Sequence, residues 1–160
     1  MMSERVYIET TIVSYLTARP SRDVILAGHQ QTIHDWWDGQ RSRYELCHSQ
    51  LVVQEAGDGD PEAARERLAV LESMTKLEIS ETALALAEEL VQAGALPTKA
   101  ENDALHIAVA AVNRIPYLLT WNCRHMANAR MRAKIESICT AKGFKAPIIC
   151  TPEEMMETES

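Results

Sequence analysis

The segment that most limits how this chain can fold is Ala100 to His125, AENDALHIAVAAVNRIPYLLTWNCRH. Asp103 to Arg114 is apolar almost all round, which predicts a helix buried within a core. Tyr117 to Trp121 is a short apolar and aromatic run, typical of an interior strand, and Pro116 stops the helix before it. About twelve helical residues span roughly 18 Å and about five strand residues span roughly 17 Å. We therefore expect the helix to run back along a sheet before the next strand.

That arrangement brings two polar side chains to one edge of the predicted sheet. A helix returning along a sheet runs antiparallel to the strand that follows it, so its first turn lies beside the end of that strand. Asp103 is in the first turn of the helix, and Asn122 comes just after the strand. We expect the two to meet at the edge where ligands bind in open α/β sheets.

The rest of the chain alternates short strands with helices, which predicts a parallel sheet with right-handed crossovers. We expect a single domain covering residues 1–160, with a three-layer α/β/α fold and a short-stranded parallel central sheet. The predicted strands are Arg5–Ile8, Tyr44–His48, Lys76–Ile79, Tyr117–Trp121 and Ala146–Cys150.

Between these strands, helices are predicted from capping residues and apolar periodicity. Thr10 and Thr11 are suited to capping a helical turn that follows them, and Ser49 is suited to capping the next short helix. An amphipathic helix is expected over Arg124–Lys142, and Leu26 and Leu84 are assigned to the buried faces of two other helices.

Charge and cysteine content narrow the function classes. With 16 basic and 23 acidic residues the net charge is −7, which argues against holding nucleic acid by bulk charge alone. It does not exclude a nuclease, whose site needs carboxylates. The four cysteines form no CxxC pair and no metal-ligand spacing with histidines, so we interpret them as reduced thiols of a cytosolic protein. The N-terminus lacks the apolar run of a signal peptide and no segment approaches a membrane span, so we expect a cytoplasmic protein with no membrane partner.

Two further acidic residues are expected at the edge that Asp103 and Asn122 define. Glu9 ends the first predicted strand, and Glu55 follows the second within a turn or two of helix. Carboxylates this close repel and raise one another's pKa, and a bound divalent cation relieves that repulsion. Ligands that are all oxygen suit Mg²⁺ or Mn²⁺ better than zinc.

Each of these residues also has an ordinary structural explanation. Glu9 could be a polar strand end and Glu55 an exposed helix residue. Asp103 could be an acid favoured by the helix dipole, and Asn122 a turn former. A metal site and this set of separate roles both remain open on the residues alone.

Other polar residues near the edge have weaker signals. Glu101 fits a solvated acid in the first helical turn, and His106 fits a buried, hydrogen-bonded core histidine better than a ligand. His125 could contact phosphate or cap a helix. Basic residues on the flanking segments could form a local phosphate track, although an exposed helix charge is the default explanation of each. They are Lys99, Arg124, Arg130, Arg132 and Lys134.

Four segments together resemble a PIN domain, and within that group they most resemble the VapC family of type II toxin–antitoxin ribonucleases. The segments are YIETT near the N-terminus, SQLVVQE at Ser49–Glu55, NDALHIA at Asn102–Ala108 and LLTWNCRH at Leu118–His125. The resemblance covers essentially the whole chain, in order. It implies Mg²⁺- or Mn²⁺-dependent hydrolysis of RNA, a homodimer and a cognate antitoxin protein.

The resemblance also implies roles for individual residues. Glu9, Glu55, Asp103 and Asn122 match the positions of the family's catalytic, metal-binding residues. Weaker candidates for contacts with the RNA substrate are Thr10, Thr11, Arg124 and His125. Two positions depart from the family, which usually has aspartate in place of Glu9 and often has aspartate in place of Asn122. The site would then carry three formal negative charges instead of four, which weakens occupancy by a second metal.

Three functions compete at this point. The favoured one is a ribonuclease toxin. The alternative is a catalytically weakened PIN module that acts by binding antitoxin or RNA, which the two departures favour. A phosphoacceptor receiver-like domain also gathers acids at a sheet edge. It requires paired acids after the first strand and a lysine after the last, and Pro147–Thr151 offers no lysine.

Overall fold

The computed structural model describes residues 3–156, in which five parallel strands form one sheet. The strands are β1 (Glu4–Ile8), β2 (Tyr44–Ser49), β3 (Thr75–Leu77), β4 (Tyr117–Leu119) and β5 (Ile148–Cys150). Their order is β3-β2-β1-β4-β5, so β1 lies at the centre and pairs with both β2 and β4. All four strand pairs are parallel, so the carboxyl ends of the strands share one edge. The predicted short-stranded parallel sheet is confirmed.

Helices flank this sheet, as the alternating pattern predicted. They are α1 (Thr10–Thr17), α2 (Val24–Gln40), α3 (Gln50–Ala56), α4 (Pro61–Leu71), α5 (Glu81–Gln92), α6 (Glu101–Val112) and α7 (Ala129–Ala141). Within the described residues, none of these helices has the length and apolar character needed to cross a membrane.

The most deeply buried of these helices is α6, which matches its nearly continuous apolar sequence. Seven of its 12 residues are buried, and four of those are alanines, whose small side chains allow close helix packing. The helix ends at Val112, and Arg114, two residues before Pro116, adopts φ 57°, a left-handed conformation. β4 then begins at Tyr117, directly after Pro116, so the predicted helix-to-strand return is confirmed.

Two helical predictions were wrong in detail. The helix expected over Arg124–Lys142 begins only at Ala129, because the Asn128 side chain accepts hydrogen bonds from the N–H groups of the first turn and caps the helix there. Leu26 and Leu84, expected inside, are 41% and 51% exposed. In α5 the buried face instead follows Ala83, Leu86, Ala87 and Leu90, which share one side at helical spacing.

Candidate metal centre

Glu9 lies at the carboxyl end of the central strand and is 4% exposed. Its N–H bonds to the carbonyl of Leu119 at 3.1 Å, which joins the ends of β1 and β4. Its carboxylate oxygen Oε1 accepts from two hydroxyls, that of Thr11 at 2.5 Å and that of Thr120 at 2.7 Å. Oε2 accepts from neither hydroxyl, so the two side-chain donors hold the carboxylate through one oxygen.

Glu55, near the end of α3, shows the same pattern. Its Oε1 accepts from the Thr10 hydroxyl at 2.6 Å and from His106 Nε2 at 2.6 Å. Oε2 again accepts from neither of these donors. Two buried or half-buried carboxylates thus face each other, each oriented by a pair of side-chain donors on a single oxygen.

Thr10 and Thr11 do not cap α1, as their position after the strand had suggested. The N-cap residue is Glu9, and no side chain caps the helix. The two hydroxyls donate to Glu55 and Glu9 instead, because the start of α1 lies at the same edge as both carboxylates. Their predicted contact with RNA stays a prediction.

His106 is fully buried and hydrogen-bonded at both ring nitrogens. Nδ1 lies 2.7 Å from the Tyr7 hydroxyl, which in turn lies 2.8 Å from the Ser49 hydroxyl. Nε2–H donates to the Glu55 carboxylate, because a carboxylate only accepts. Nδ1 shares a hydrogen bond with the Tyr7 hydroxyl, and Tyr7 shares one with Ser49, so a hydrogen-bonded chain joins Ser49 to Glu55. Ser49 is the N-cap residue of α3, as predicted, but its hydroxyl serves this chain rather than the helix.

These surroundings shift the pKa values of the two carboxyl groups in opposite directions. Burial raises the pKa of Glu9, although His106 and the two hydroxyls oppose the shift. Burial also acts to raise the pKa of Glu55, but the hydrogen bond and electrostatic attraction of His106, together with hydrogen bonds from Thr10 and Asn102, outweigh it and lower that pKa. Burial raises the pKa of Tyr7, which keeps its hydroxyl protonated as a donor.

Asp103 lies in the first turn of α6, three residues before His106 and therefore on the same face of the helix. Its Oδ2 lies 3.1 Å from Nδ1 of His125. The group of potential ligand atoms that lie within 4.8 Å of one another contains Glu9, Glu55 and His106, but not Asp103. The structure thus places Asp103 beside the centre, paired with a histidine.

Asn122 follows β4 as expected, and its contacts are those of a turn former. Its Oδ1 accepts from the N–H of His125 at 3.0 Å, and its own N–H donates to the Thr120 hydroxyl at 2.9 Å. Since Thr120 also donates to Glu9, Asn122 is linked to the Glu9 carboxylate through the Thr120 side chain. A ligand role for Asn122 stays a prediction.

The donor set fits a hard divalent cation. Two oxygens bound to one Mg²⁺ lie at most about 4.2 Å apart, because each bond is about 2.1 Å long. The ligand atoms of Glu9, Glu55 and His106 lie within 4.8 Å of one another, so their separations exceed that limit by at most about 0.6 Å. Because the histidine Nε2 is occupied in donating to Glu55, we assign His106 to orienting that carboxylate and leave the ligand positions to oxygens.

The sequence had placed His106 in the core without connecting it to the acidic residues. The available signal was its spacing of three from Asp103 within NDALHIA, which puts both on one helix face.

Among the predicted basic residues, Arg132 is engaged in other contacts, since it donates to the Ile149 carbonyl at 2.9 Å and lies 3.5 Å from Glu154. Arg124 is exposed and His125 is half-buried.

The sequence matches no protein-family model and no curated protein sequence. Solved structures do share its fold. A chain from the crystal structure of VapBC2 of Rickettsia felis, bound to a DNA fragment from its promoter, is 16% identical with a TM-score of 0.58, covering 92% of this chain and 98% of that chain. VapC20 of Mycobacterium tuberculosis, described as a Sarcin-Ricin loop cleaving toxin, is 15% identical with a TM-score of 0.59, covering 89% of this chain and 99% of that chain.

The molecule is thus a parallel α/β protein with an acidic centre at the carboxyl edge of its sheet. Its fold is the PIN-domain fold of the VapC toxins, which the four sequence segments predicted.

Proposed function

We propose that this protein is a VapC-family ribonuclease that hydrolyses RNA phosphodiester bonds with Mg²⁺ or Mn²⁺. The observation that carries this proposal is the pair of facing carboxylates, Glu9 and Glu55, each held through one oxygen by two side-chain donors. VapC20, which shares the fold, is described as a toxin that cleaves the Sarcin-Ricin loop. That description supports RNA as the substrate.

The work of this chain's residues is to hold the metal and the phosphate. Glu9, Glu55 and Asp103 would hold the cation through carboxylate oxygens, and Asn122 would add an amide oxygen. A bound divalent cation lowers the pKa of a water for attack on phosphorus and stabilises the charge that develops. No serine, cysteine or histidine nucleophile is required. Arg124 and His125, in the segment after β4, would contact the phosphate of the substrate.

A catalytically weakened PIN module that binds antitoxin or RNA is the second candidate. The contact that favours it is the hydrogen bond from the His125 N–H, which occupies the Asn122 carbonyl oxygen. The burial of Glu9 favours it too, because desolvation disfavours the charged form that a metal requires.

We further propose that the chain is the toxin of a type II pair. It would be a single PIN domain over residues 1–160, acting in the cytoplasm as a homodimer with a cognate antitoxin. The VapBC2 crystal structure supports a partner of this kind, since that complex was solved with DNA from its promoter.

The ends of the RNA products test the proposed reaction. If a water attacks phosphorus, the purified chain leaves one product with a terminal phosphate monoester and no 2′,3′-cyclic phosphate, and a 2′-deoxy nucleotide at the cleaved position is tolerated. Mass spectrometry of the fragments distinguishes the two kinds of end. A cyclic phosphate product would contradict water attack. No cleavage in Mg²⁺ or Mn²⁺, with RNA or antitoxin still bound, would favour the second candidate.

Asn122→Asp tests the fourth position. Aspartate can keep the hydrogen bond from His125 and adds a negative charge near Glu9, and hard cations prefer a carboxylate to a neutral carbonyl. We expect a severalfold lower Mn²⁺ concentration for half-maximal cleavage, and a matching shift in a titration followed by melting temperature, because metal that binds only the folded state raises stability. Superimposable titrations of the two proteins would remove Asn122 from the ligand set.

A further inference from the structure

Beside the metal centre, three aromatic side chains from different parts of the chain lie nearly parallel. The ring of His29, on α2, stacks on the ring of Trp121, with centroids 4.2 Å apart and planes 8° apart. Tyr15, on α1, lies 6.3 Å from His29 and 6.4 Å from Trp121, tilted by 18° and 23°. Trp121 is 8% exposed, whereas His29 and Tyr15 are half-buried. Trp121 is therefore the buried ring of the stack, and the other two rings reach the surface.

The polar atoms of the two surface rings are available. In residues 3–156, neither the ring nitrogens of His29 nor the hydroxyl of Tyr15 has a hydrogen-bond partner, although both rings make the aromatic contacts described above. A stack that served only to join α2 to the sheet would not need titratable or polar rings at its outer positions.

The stack lies about one helical turn from the carboxylates. The N–H of Trp121 donates to the Thr11 hydroxyl at 2.8 Å, and that hydroxyl donates to Glu9. Tyr15 follows Thr11 by four residues on α1, so it lies on the same helix face, about 6 Å along the axis. This offset is comparable to the distance between neighbouring nucleotides in a single strand.

A basic loop lies next to the same rings. Gln30, adjacent to His29, donates to the carbonyl of Arg19 at 3.0 Å and accepts from the N–H of Ser21 at 2.9 Å, which fixes the loop between α1 and α2 against the start of α2. Arg19 and Arg22 in this loop are exposed, and no ion pair involves them in the described part of the chain. Aromatic faces combined with nearby cations are the features that bind single-stranded nucleic acid.

We propose that Tyr15, His29 and Trp121 form a stacking platform for a base of single-stranded RNA next to the cleaved phosphate, with His29 as the contacting ring. This assignment rests on the proposed ribonuclease function and extends it from the phosphate to a base. The platform favours an unpaired base, because a base within a duplex already stacks on its neighbours.

Binding of an octamer of oligoadenylate tests the platform. It is measured in EDTA at low salt, by fluorescence anisotropy of a labelled strand, for wild type, His29→Ala and His29→Phe. His34→Ala is the matched control, since His34 is an exposed histidine five residues further along α2. We expect His29→Ala to weaken binding roughly fivefold or more, the scale of one lost base stack. His29→Phe, which keeps an aromatic face, and His34→Ala should bind as wild type does.

A strand with one abasic position, moved along the octamer, separates base contact from a structural role. When the abasic position is the one that His29 contacts, the abasic strand should bind wild type as weakly as the intact strand binds His29→Ala. The His29→Ala protein should bind that abasic strand and the intact strand with equal affinity. Equal losses at every position in both proteins would overturn the platform, as would equal binding by wild type and His29→Ala, or no binding by wild type.

Cleavage of RNA with Mn²⁺ is measured in parallel. Wild type that cleaves without any dependence on His29 overturns the platform alone, whereas wild type that binds through His29 but never cleaves overturns the ribonuclease alone.

Discussion

Glu9→Gln is expected to reduce RNA cleavage by about 100-fold or more and, in the absence of metal, to raise the melting temperature at neutral pH. Activity falls because an amide supplies no charge to the metal, and the loss of one group that stabilises the transition state costs on this scale. The fold tolerates the change, because the glutamine carbonyl can still accept from Thr11 and Thr120 in the place of Oε1.

The gain in stability follows from the raised pKa of Glu9. Burial disfavours its ionised form, so the folded state binds a proton more tightly than the unfolded state, in which the pKa is near the ordinary value of 4.5. Below that value both states are protonated and Glu9 costs nothing. As the pH rises through the raised pKa, the cost of burying the carboxylate develops fully. The difference in melting temperature between Glu9→Gln and wild type should therefore vanish near pH 4 and increase as the pH rises above the ordinary pKa of 4.5.

Melting curves in EDTA from about pH 4 to pH 8 check this dependence, and Glu4→Gln is the control, because Glu4 is exposed at the other end of β1. Each 1 kcal/mol shifts the melting temperature by about 2–4 °C in a chain of this size. A Glu9→Gln protein that melts below wild type at neutral pH, or that keeps wild-type cleavage, would contradict the role given to Glu9.

Asp103→Asn is expected to reduce the rate of RNA cleavage by about 100-fold or more, as Glu9→Gln does, while leaving the fold intact. Asp103 lies in the first turn of α6 with its side chain about one-fifth exposed, so the isosteric amide disturbs no core packing. His125 contacts Oδ2 of Asp103 in the wild type, and the amide oxygen of asparagine can accept a hydrogen bond from it in the same place. The lost charge acts on the metal and on the position of His125.

Glu101→Gln is the matched control for Asp103→Asn, since Glu101 is an exposed acid in the same helical turn. It removes an equal charge from the start of α6, so any effect of the helix dipole is common to both variants. Cleavage rates and circular dichroism spectra are compared. Wild-type turnover in Asp103→Asn, or an equal loss in Glu101→Gln, would remove Asp103 from the site.

The sequence predicted the parallel sheet and the proximity of Glu9 to Glu55 because both depend on local signals. The apolar run of α6, the proline after it and the run of β4 determine a helix that returns along a strand. Once the strands are parallel, residues that follow them share an edge, which brings Glu9 towards the segment holding Asn122. These inferences need only periodicity and chain direction.

The partners of the carboxylates could not be predicted in the same way. Whether a threonine after a strand caps a helix or donates to an acid depends on side-chain directions and distances of about 2.6 Å, which no local pattern encodes. The chain from Ser49 through Tyr7 to His106 joins three elements, and each residue alone has the sequence environment of an ordinary core or cap position. The start of α7 was predicted too early in the chain, because the residues before Asn128 have a composition that favours a helix. They form turns instead, and α7 begins only after the cap at Asn128.

The most direct test of the central claim is cleavage of RNA by the purified chain before and after removal of divalent metal. We predict cleavage in Mg²⁺ or Mn²⁺, complete loss in excess EDTA, and recovery when Mn²⁺ is added beyond the chelator, because the proposed reaction would hold the cation on side-chain oxygens and uses no side-chain nucleophile. The Asp103→Asn protein, purified in the same way, shows whether a contaminating nuclease contributes. Cleavage that continues at full rate in excess EDTA would contradict the proposed mechanism.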